Sequence, residues 1–294
     1  FAGEPPCRSA AGAAPEGRSR GNSSRAFGSL AGTWLSKRRI LPCLLPLILF
    51  TCWNLATSSG LAPEYLLPSP RTVWETVCAY MGAVSEGYAD AYAGRFWGDL
   101  SASLGRVGSG YLLAVIPGVA LGLASGRSPA LASLLSPIIN GVRAVPGISW
   151  LPLALLWLGI GFRATVFLIA LAGFFPAYLN AAAGAAAVPP VLIRAGRMLG
   201  FGRRAIFLRV VIPSAMPQVR TGLRVALGMS FSYLVLGELT GVPDGLGAMI
   251  MDARLAGRVD LLVSGIILIA LVGWLCDVLL MRALSAVSVS LRRQ

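Results

Sequence analysis

The chain has 294 residues, of which 56% are hydrophobic and 13% charged, and its formal net charge is +13. Soluble domains carry about a quarter charged residues, so this composition indicates an integral membrane protein rather than a soluble core. There is no histidine, and the single lysine, Lys37, follows no glycine-rich loop. These absences exclude histidine-based zinc sites, histidine-dependent catalytic pairs and a P-loop. Any ATP hydrolysis would belong to another chain.

The amino-terminal region differs from the rest of the chain in composition. Residues 1–33 are rich in Gly, Ala, Ser, Pro and Arg and have too little apolar surface to offset the entropy of ordering, which predicts a flexible cytoplasmic tail. Residues 34–288 form the predicted transmembrane domain, and residues 289–294 form a second short cytoplasmic tail. The basic residues cluster at the ends of apolar runs, which indicates orientation in a membrane and not binding of nucleic acid.

Six apolar segments follow in chain order, each long enough to cross a bilayer core, for which roughly 20 residues are needed. The predicted spans are 40–61, 104–126, 129–161, 164–188, 217–239 and 260–282. Arg143 interrupts the third span, and the prolines around it predict that this helix is broken near its middle. Between spans there is a long loop at 62–103, with a short surface helix at 71–81, and a glycine-rich loop at 240–258.

The distribution of charge predicts which ends of these spans face the cytoplasm, because cytoplasmic loops carry an excess of Lys and Arg. The amino-terminal tail is basic, the 189–213 segment has five arginines and no acidic residue, and Arg292 and Arg293 lie near the carboxy terminus. The loops at 62–103 and 240–258 are acidic or mixed. An all-α protein with six transmembrane helices and both termini in the cytoplasm satisfies all of these observations.

The 189–213 segment is too charged to span a membrane and has a pattern of its own. Its sequence predicts two short helices joined at Gly200, since glycine readily adopts the left-handed conformation that ends a helix. Arg194 and Arg197 share one face of the first helix, and Pro213 is expected to stop the second helix before the next span. The pattern fits a loop that docks on a partner and an interfacial anchor helix equally well.

The spacing within this segment resembles the EAA loop of binding-protein-dependent ABC import permeases, in which Glu-Ala-Ala is followed by a glycine and later by an apolar residue and proline. Four residues match that pattern, namely Ala195, Gly200, Ile212 and Pro213. Arg194 stands where the family usually has glutamate, and Gly196 stands where it has alanine. The resemblance extends over residues 40–285 and is closest to the sulfonate, nitrate and taurine group.

The resemblance implies a fold like that of type I ABC importers, with this chain as a non-catalytic permease of a bacterial inner membrane. It further implies a homodimer around a central path, two cytoplasmic ATPase subunits that bind ATP-Mg, and a periplasmic or surface solute-binding protein. This chain then holds no cofactor or metal of its own. The ATPase-coupling residues implied by the motif and its surroundings are Arg194, Ala195, Gly196, Arg197, Gly200, Ile212 and Pro213.

Three residues in the predicted spans are candidates for the translocation path: Arg143, Trp150 and Glu238. Ionisable groups at membrane depth are often functional, and a cation such as Arg143 suits a small anionic solute such as a sulfonate, taurine or nitrate. Structural roles are the alternative. Arg143 could pair with an acid or cap carbonyls freed by Pro146, Glu238 could pair with Arg143 or Arg106, and Trp150 could pack or mark an interface.

Asp277 on the sixth span is assigned to a helix–helix contact, and Arg220 and Arg224 to the cytoplasmic charge excess. Two further functions stay open from the sequence. One is a permease of the same class for a cationic or neutral solute such as a vitamin precursor, and the other is a secondary transporter driven by an ion gradient. Secondary transporters often contain two related halves, and the chain shows no convincing internal repeat.

Overall fold

A computed structural model describes residues 44–60, 63–82 and 92–292, and their regular secondary structure is entirely helical. The helices are α1 (Leu44–Ser58), α2 (Pro70–Met81), α3 (Phe96–Arg127), α4 (Pro129–Ala144), α5 (Leu151–Leu158), α6 (Phe162–Ala186), α7 (Pro190–Met198), α8 (Arg203–Ile206), α9 (Ile212–Glu238), α10 (Leu246–Leu255) and α11 (Val259–Arg292). A 3₁₀ turn at Gly147–Trp150 precedes α5, and a π-helical turn at Phe207–Val211 precedes α9. The predicted tail at 1–33 and the first residues of the first predicted span lie outside the described residues.

Three of the described helices are long and apolar enough to cross a membrane, namely α3, α6 and the Val259–Ala286 part of α11. A fourth span is counted when α4 and the Gly147–Leu158 segment, which is bent from it by 87°, are taken together. The remaining two predicted spans correspond to α1, which is short, and α9, whose apolar character is reduced by Arg224 and Glu238. By length and composition the described residues hold three spans, or four, and the count of six stays a prediction.

The break predicted in the third span is present and lies where α4 ends. Val145 leaves the helical region with φ −74° and ψ 122°, because the ring of Pro146 disfavours a helical residue before it. The chain then passes through the 3₁₀ turn into α5, and Gly147 packs on the ring of Tyr233 in α9. A Cβ atom at position 147 would overlap the Tyr233 hydroxyl, so a larger residue at the bend would require the Tyr233 ring to move.

Small residues bring α3, α6 and α9 into close contact at the centre of the fold. A Cβ atom added at Gly122 on α3 would lie 2.8 Å from the Cβ atom of Ala181 on α6. A Cβ atom added at Gly222 on α9 would lie 3.0 Å from the backbone oxygen of Pro176 on α6. Such small-residue contacts are typical of helices packed within membranes. The three helices therefore give the candidate site a tightly packed frame.

Two expectations about the segments between spans are wrong. The glycine-rich loop at 240–258 contains a helix, α10. Pro213 stops no helix, because α8, the π-helical turn and α9 follow one another directly and Pro213 lies in the first turn of α9. A proline supplies no N–H to the helical ladder, and the π-helical turn directly before α9 is the place where that ladder changes its spacing. At the other end, α11 continues to Arg292, so residues 289–292 of the predicted tail are helical. The predicted surface helix at 71–81 is confirmed as α2.

Candidate functional site

Glu238 lies at the end of α9, fully buried, and forms the centre of a polar network. Its carboxylate accepts hydrogen bonds from the Arg106 guanidinium at 2.7 Å, from the Ser103 hydroxyl at 2.8 Å and from the Gly247 amide at 2.8 Å. Arg106 is thus the partner of Glu238, and Arg143, the other predicted partner, is not. The network joins α3 to α9 and α10, which indicates a structural role for Glu238.

Two further acidic residues extend this network, although the sequence pointed to neither. Arg106 also donates to the carboxylate and to the backbone oxygen of Asp244 in the loop before α10. Asp99 accepts hydrogen bonds from the Tyr80 hydroxyl on α2 at 2.7 Å and from the Gly245 amide at 3.0 Å. Helices α2, α3, α9 and α10 therefore meet through these side chains.

The surroundings of Tyr80 and of two glycines explain why these contacts form. Burial, followed by the hydrogen bond to Asp99, raises the pKa of the Tyr80 phenol well above its ordinary value, so the hydroxyl stays a donor. Cβ atoms added at Gly245 and Gly247 would lie 2.5 Å and 2.7 Å from side-chain atoms of Glu238, so only glycine lets the loop come this close. The stretch Gly245-Leu246-Gly247 was the signal in the sequence that could have located the network.

A cavity of about 380 Å³ lies where the broken third span faces α6 and α9. Its size falls in the range of small-molecule sites, roughly 300–1,000 Å³. Arg143 at the end of α4 and Trp150 before α5 both line it, so the structure brings together two of the three predicted path residues, and Glu238 is not among the lining residues. Asn180 and Tyr233 are further polar residues in the lining, and the apolar ones are Val145, Leu171, Ala172, Phe175, Pro176, Leu179, Val225 and Met229.

Three donor-bearing side chains of this cavity, those of Arg143, Trp150 and Tyr233, have no partner among the described residues. Neither structural alternative for Arg143, an acidic partner or a cap on the carbonyls near Pro146, is found in that part of the chain. Among the residues that the structure describes, no aspartate or glutamate lines the cavity. A site with one cation, several neutral donors and no acid attracts anions.

The helix–glycine–helix form predicted for the 189–213 segment is present. α7 ends at Met198, and Gly200 takes a left-handed φ of +80°. The amide of Gly200 donates to the Arg197 backbone oxygen at 3.0 Å, which closes the end of the helix. The chain then continues into α8, so α7 and α8 are a pair of helices joined by a tight turn.

One face of α7 is buried and the other is exposed. Ile193 and Gly196 are buried, and a Cβ atom added at Gly196 would lie 3.4 Å from the Ile206 side chain in α8. The exposed residues, which mix positive charge with apolar surface, are Val191, Leu192, Arg194, Ala195, Arg197, Met198 and Leu199. The predicted coupling residues are thus divided: Arg194, Ala195, Arg197 and Gly200 are exposed, whereas Gly196, Ile212 and Pro213 are buried or half-buried and support the segment from inside.

The assignment of Asp277 to a helix–helix contact is confirmed. Its carboxylate pairs with the Arg224 guanidinium at 2.8 Å, which links α11 to α9. Arg220 donates to the Leu284 backbone oxygen at 2.7 Å and adds a second link between the same helices. Both arginines therefore contact α11. They were assigned only to the cytoplasmic charge excess, and the structure adds a role in joining α9 to α11.

The family profile of the binding-protein-dependent transport system inner membrane component matches residues 118–293, a range that includes the cavity and the α7–α8 segment. The taurine transport system permease protein TauC of Escherichia coli (strain K12) is 38% identical over 233 residues, which cover 79% of this chain and 82% of that protein. The chain belongs to this family. The nitrate import permease protein NrtB of Leptolyngbya laminosa is 31% identical to this permease over 265 residues, 89% of this chain and 92% of that protein.

The fold of this permease is similar to that of the MetNI methionine ABC transporter in an inward-facing structure. The TM-score is 0.52 and the sequence identity 20%, over 65% of this chain and 93% of that one. The predicted ABC import permease family and the helical fold like that of type I importers are confirmed. As a family member, the chain is a non-catalytic permease subunit, which decides against a secondary transporter driven by an ion gradient.

Proposed function

We propose that this permease carries a small anionic solute across the membrane along a path that includes the cavity at Arg143 and Trp150. The cavity carries the proposal, since its arginine has no acidic partner among the described residues. Relatives are named for taurine, aliphatic sulfonates, nitrate and bicarbonate, all of which bear an anionic group. A cationic solute would meet an uncompensated positive charge here. Glu238, the third path candidate, supports the frame of the path through Arg106.

The proposed assembly has two copies of this chain around the path, two ATPase subunits that bind ATP-Mg on the cytoplasmic side, and a periplasmic or surface solute-binding protein. In this proposal the chain crosses the bacterial inner membrane six times with both termini in the cytoplasm. α1 belongs to the first span, and α9 supplies the fifth. The five arginines of the 189–213 segment support a cytoplasmic position for that segment.

The α7–α8 segment is the proposed contact with the ATPase. Its exposed face combines Arg194 and Arg197, which make no ion pair with a described residue, with the apolar side chains of Met198 and Leu199. Such a face suits a groove that is partly acidic and partly apolar. Since Arg194 replaces the glutamate that is usual in the family, we expect the partner ATPase to offer an acidic residue at that place.

The function is tested with the permease, its ATPase subunits and its solute-binding protein in proteoliposomes. We expect ATP-dependent uptake of a labelled anion, with taurine and nitrate as the probes, and no uptake of choline, a permanent cation. Uptake that persists without ATP would overturn the assignment to ATP-driven import. Uptake of choline at the rate of the anions would overturn the preference for negative charge.

The coupling role is tested at α7 in the same vesicles. Combining Arg194→Glu with Arg197→Glu should leave the protein inserted but lower solute uptake per ATP hydrolysed by about tenfold or more, because charge-assisted contacts to the ATPase are lost. Gly200→Pro should have the same effect, since proline cannot adopt the positive φ of that turn. Arg254→Glu, at an exposed arginine on α10, is the matched control. Unchanged coupling in the double variant would rule out docking through α7.

A further inference from the structure

We propose that the cavity is a binding site for an organic anion, a solute that joins one anionic oxygen-bearing group, such as a sulfonate or carboxylate, to a small apolar body. This inference rests on the proposed function, since it names the class of solute that the path takes. It separates organic anions from inorganic ones such as nitrate and bicarbonate, a choice that the names of the relatives leave open.

The donors of the cavity suit the oxygens of such an anionic group. Arg143 lies in the last turn of α4, Trp150 in the 3₁₀ turn after the bend, and Tyr233 on α9, so three separate elements contribute donors. Arg143 supplies a permanent charge and several N–H groups, whereas Trp150 and Tyr233 supply one neutral donor each. Because none of these side chains has a partner among the described residues, all three are available to a ligand. Hydrogen bonds from a guanidinium to an oxyanion are among the strongest in proteins.

The bend in the third span holds these donors around one space. In a straight helix, Arg143 and Trp150 would lie about 10 Å apart along its axis. The 87° bend instead places both on the wall of the same cavity. Gly147, at the bend, leaves room for the ring of Tyr233, which completes the donor set from α9. The residues that break the helix are therefore the ones that assemble the site.

The remaining walls of the cavity are mostly apolar, so they favour contact with the carbon atoms of a ligand over contact with its oxygens. Leu171, Phe175, Val225 and Met229 are among the apolar side chains that line it. Asn180, the other polar side chain in the lining, is already engaged: its amide donates to the Pro176 backbone oxygen at 2.8 Å and accepts from Gln218 at 3.1 Å. The side chains in the described lining whose donors have no partner at all are therefore those of Arg143, Trp150 and Tyr233.

The chemistry of these walls separates the two kinds of anion. An inorganic oxyanion would lose its hydration against apolar side chains that offer no hydrogen bonds in return. The carbon body of an organic anion would instead gain by leaving water. A second anionic group would find no second cation in the described lining. The site therefore favours a small monoanion with an apolar body.

The test uses the full-length permease in lipid nanodiscs, titrated by calorimetry with sodium ethanesulfonate and with sodium nitrate. Ethanesulfonate is expected to bind about tenfold more tightly or better, since only its ethyl group buries apolar surface. Arg143→Gln should weaken ethanesulfonate binding by about tenfold or more, and Tyr233→Phe and Trp150→Phe by about threefold each. Arg163→Gln, at an exposed arginine of α6 outside the cavity lining, is the matched control and should change nothing.

Three results would overturn the inference: equal affinity for nitrate and ethanesulfonate, an equal loss with Arg163→Gln and Arg143→Gln, or no binding of ethanesulfonate to the wild-type protein. Failure to bind, alongside normal ATP-driven uptake of anions, would refute the site and leave the proposed function standing. Ethanesulfonate binding without ATP-driven uptake of anions would refute the proposed function and leave the binding site standing. If Arg143→Gln does not insert, Tyr233→Phe, which removes a single oxygen atom, decides the question through its own loss of affinity.

Discussion

Two arginines on successive helices, Arg106 on α3 and Arg143 on α4, have opposite surroundings. Arg106 is buried, with 5% of its side chain exposed, and pairs with Glu238 and Asp244. Arg143 is exposed at a cavity and has no acidic partner among the described residues. A buried charge is tolerated only when its partners replace the hydration it has lost. Arg106 is therefore part of the frame, whereas the charge of Arg143 is available to a solute.

A charged residue in an apolar run therefore does not by itself indicate function. Both arginines lie within predicted spans, Arg106 near the start of the second and Arg143 inside the third. They differ in the partners that other helices bring to them: Glu238, which neutralises Arg106, lies 132 residues further along the chain. Whether a charged side chain has partners on other helices, and not its depth in the membrane, decides whether it is structural or can bind a ligand.

The largest effect on stability is expected from removing the acid at the centre of the network. Glu238→Leu would leave the Arg106 guanidinium buried without its main partner, and we expect the free energy of unfolding to fall by about 3–5 kcal/mol. Thermal unfolding of the detergent-solubilised protein would show this as a lower Tm. Glu75→Leu, in an exposed ion pair with Arg71, is the control and should leave the Tm unchanged. Equal Tm values for the two variants would show that Glu238 does not stabilise the fold through Arg106.

The second-largest effect on stability is expected at the bend. Gly147→Ala would force the Tyr233 ring to move, and overpacking of this kind costs about 1–3 kcal/mol. Gly141→Ala, where a Cβ atom would meet nothing within 4 Å, should be neutral or slightly stabilising, because alanine favours the helix. In a Tyr233→Ala background the cost of Gly147→Ala should shrink. An undiminished cost there would contradict the contact between the bend and Tyr233.

The smallest effect on stability, with a large effect on transport, is expected at the cavity. Arg143→Met removes a charge that has no described partner, so the free energy of unfolding should change by about 0.5 kcal/mol or less. Uptake of the anion by the assembled importer should still fall by about tenfold or more, because a charge-assisted contact with the solute is lost. A drop in Tm as large as that of Glu238→Leu would instead place Arg143 in the frame beside Arg106.

Features decided by a few adjacent residues could be predicted from the sequence. Pro146 requires an extended residue before it, which produces the bend, and Gly200 permits the tight turn between α7 and α8. The partner of Glu238 could be narrowed to two arginines, since an acid in an apolar run needs a cation. The choice between those two depends on how the helices pack, which no local pattern encodes.

Features that depend on packing or on where a helix begins were missed. Asp99 fell in the predicted 62–103 loop, but α3 already begins at Phe96, and its first turn carries Asp99 towards the loop before α10. α10 was missed because glycines and mixed charges around it are typical of loops. No pattern in the sequence marked Tyr233 as a cavity residue, because it lines the same cavity as Arg143 only through the bend at Gly147.

α8, the π-helical turn and α9 run as one helical segment from Arg203 to Glu238, about 50 Å long at roughly 1.5 Å per residue. One end carries the turn to α7, and the other is fastened by Glu238 to α3 and α10. Tyr233 sits close to the fastened end. Roughly 45 Å of continuous helix, at about 1.5 Å per residue, therefore separates the turn at α7 from the Tyr233 side chain at the cavity.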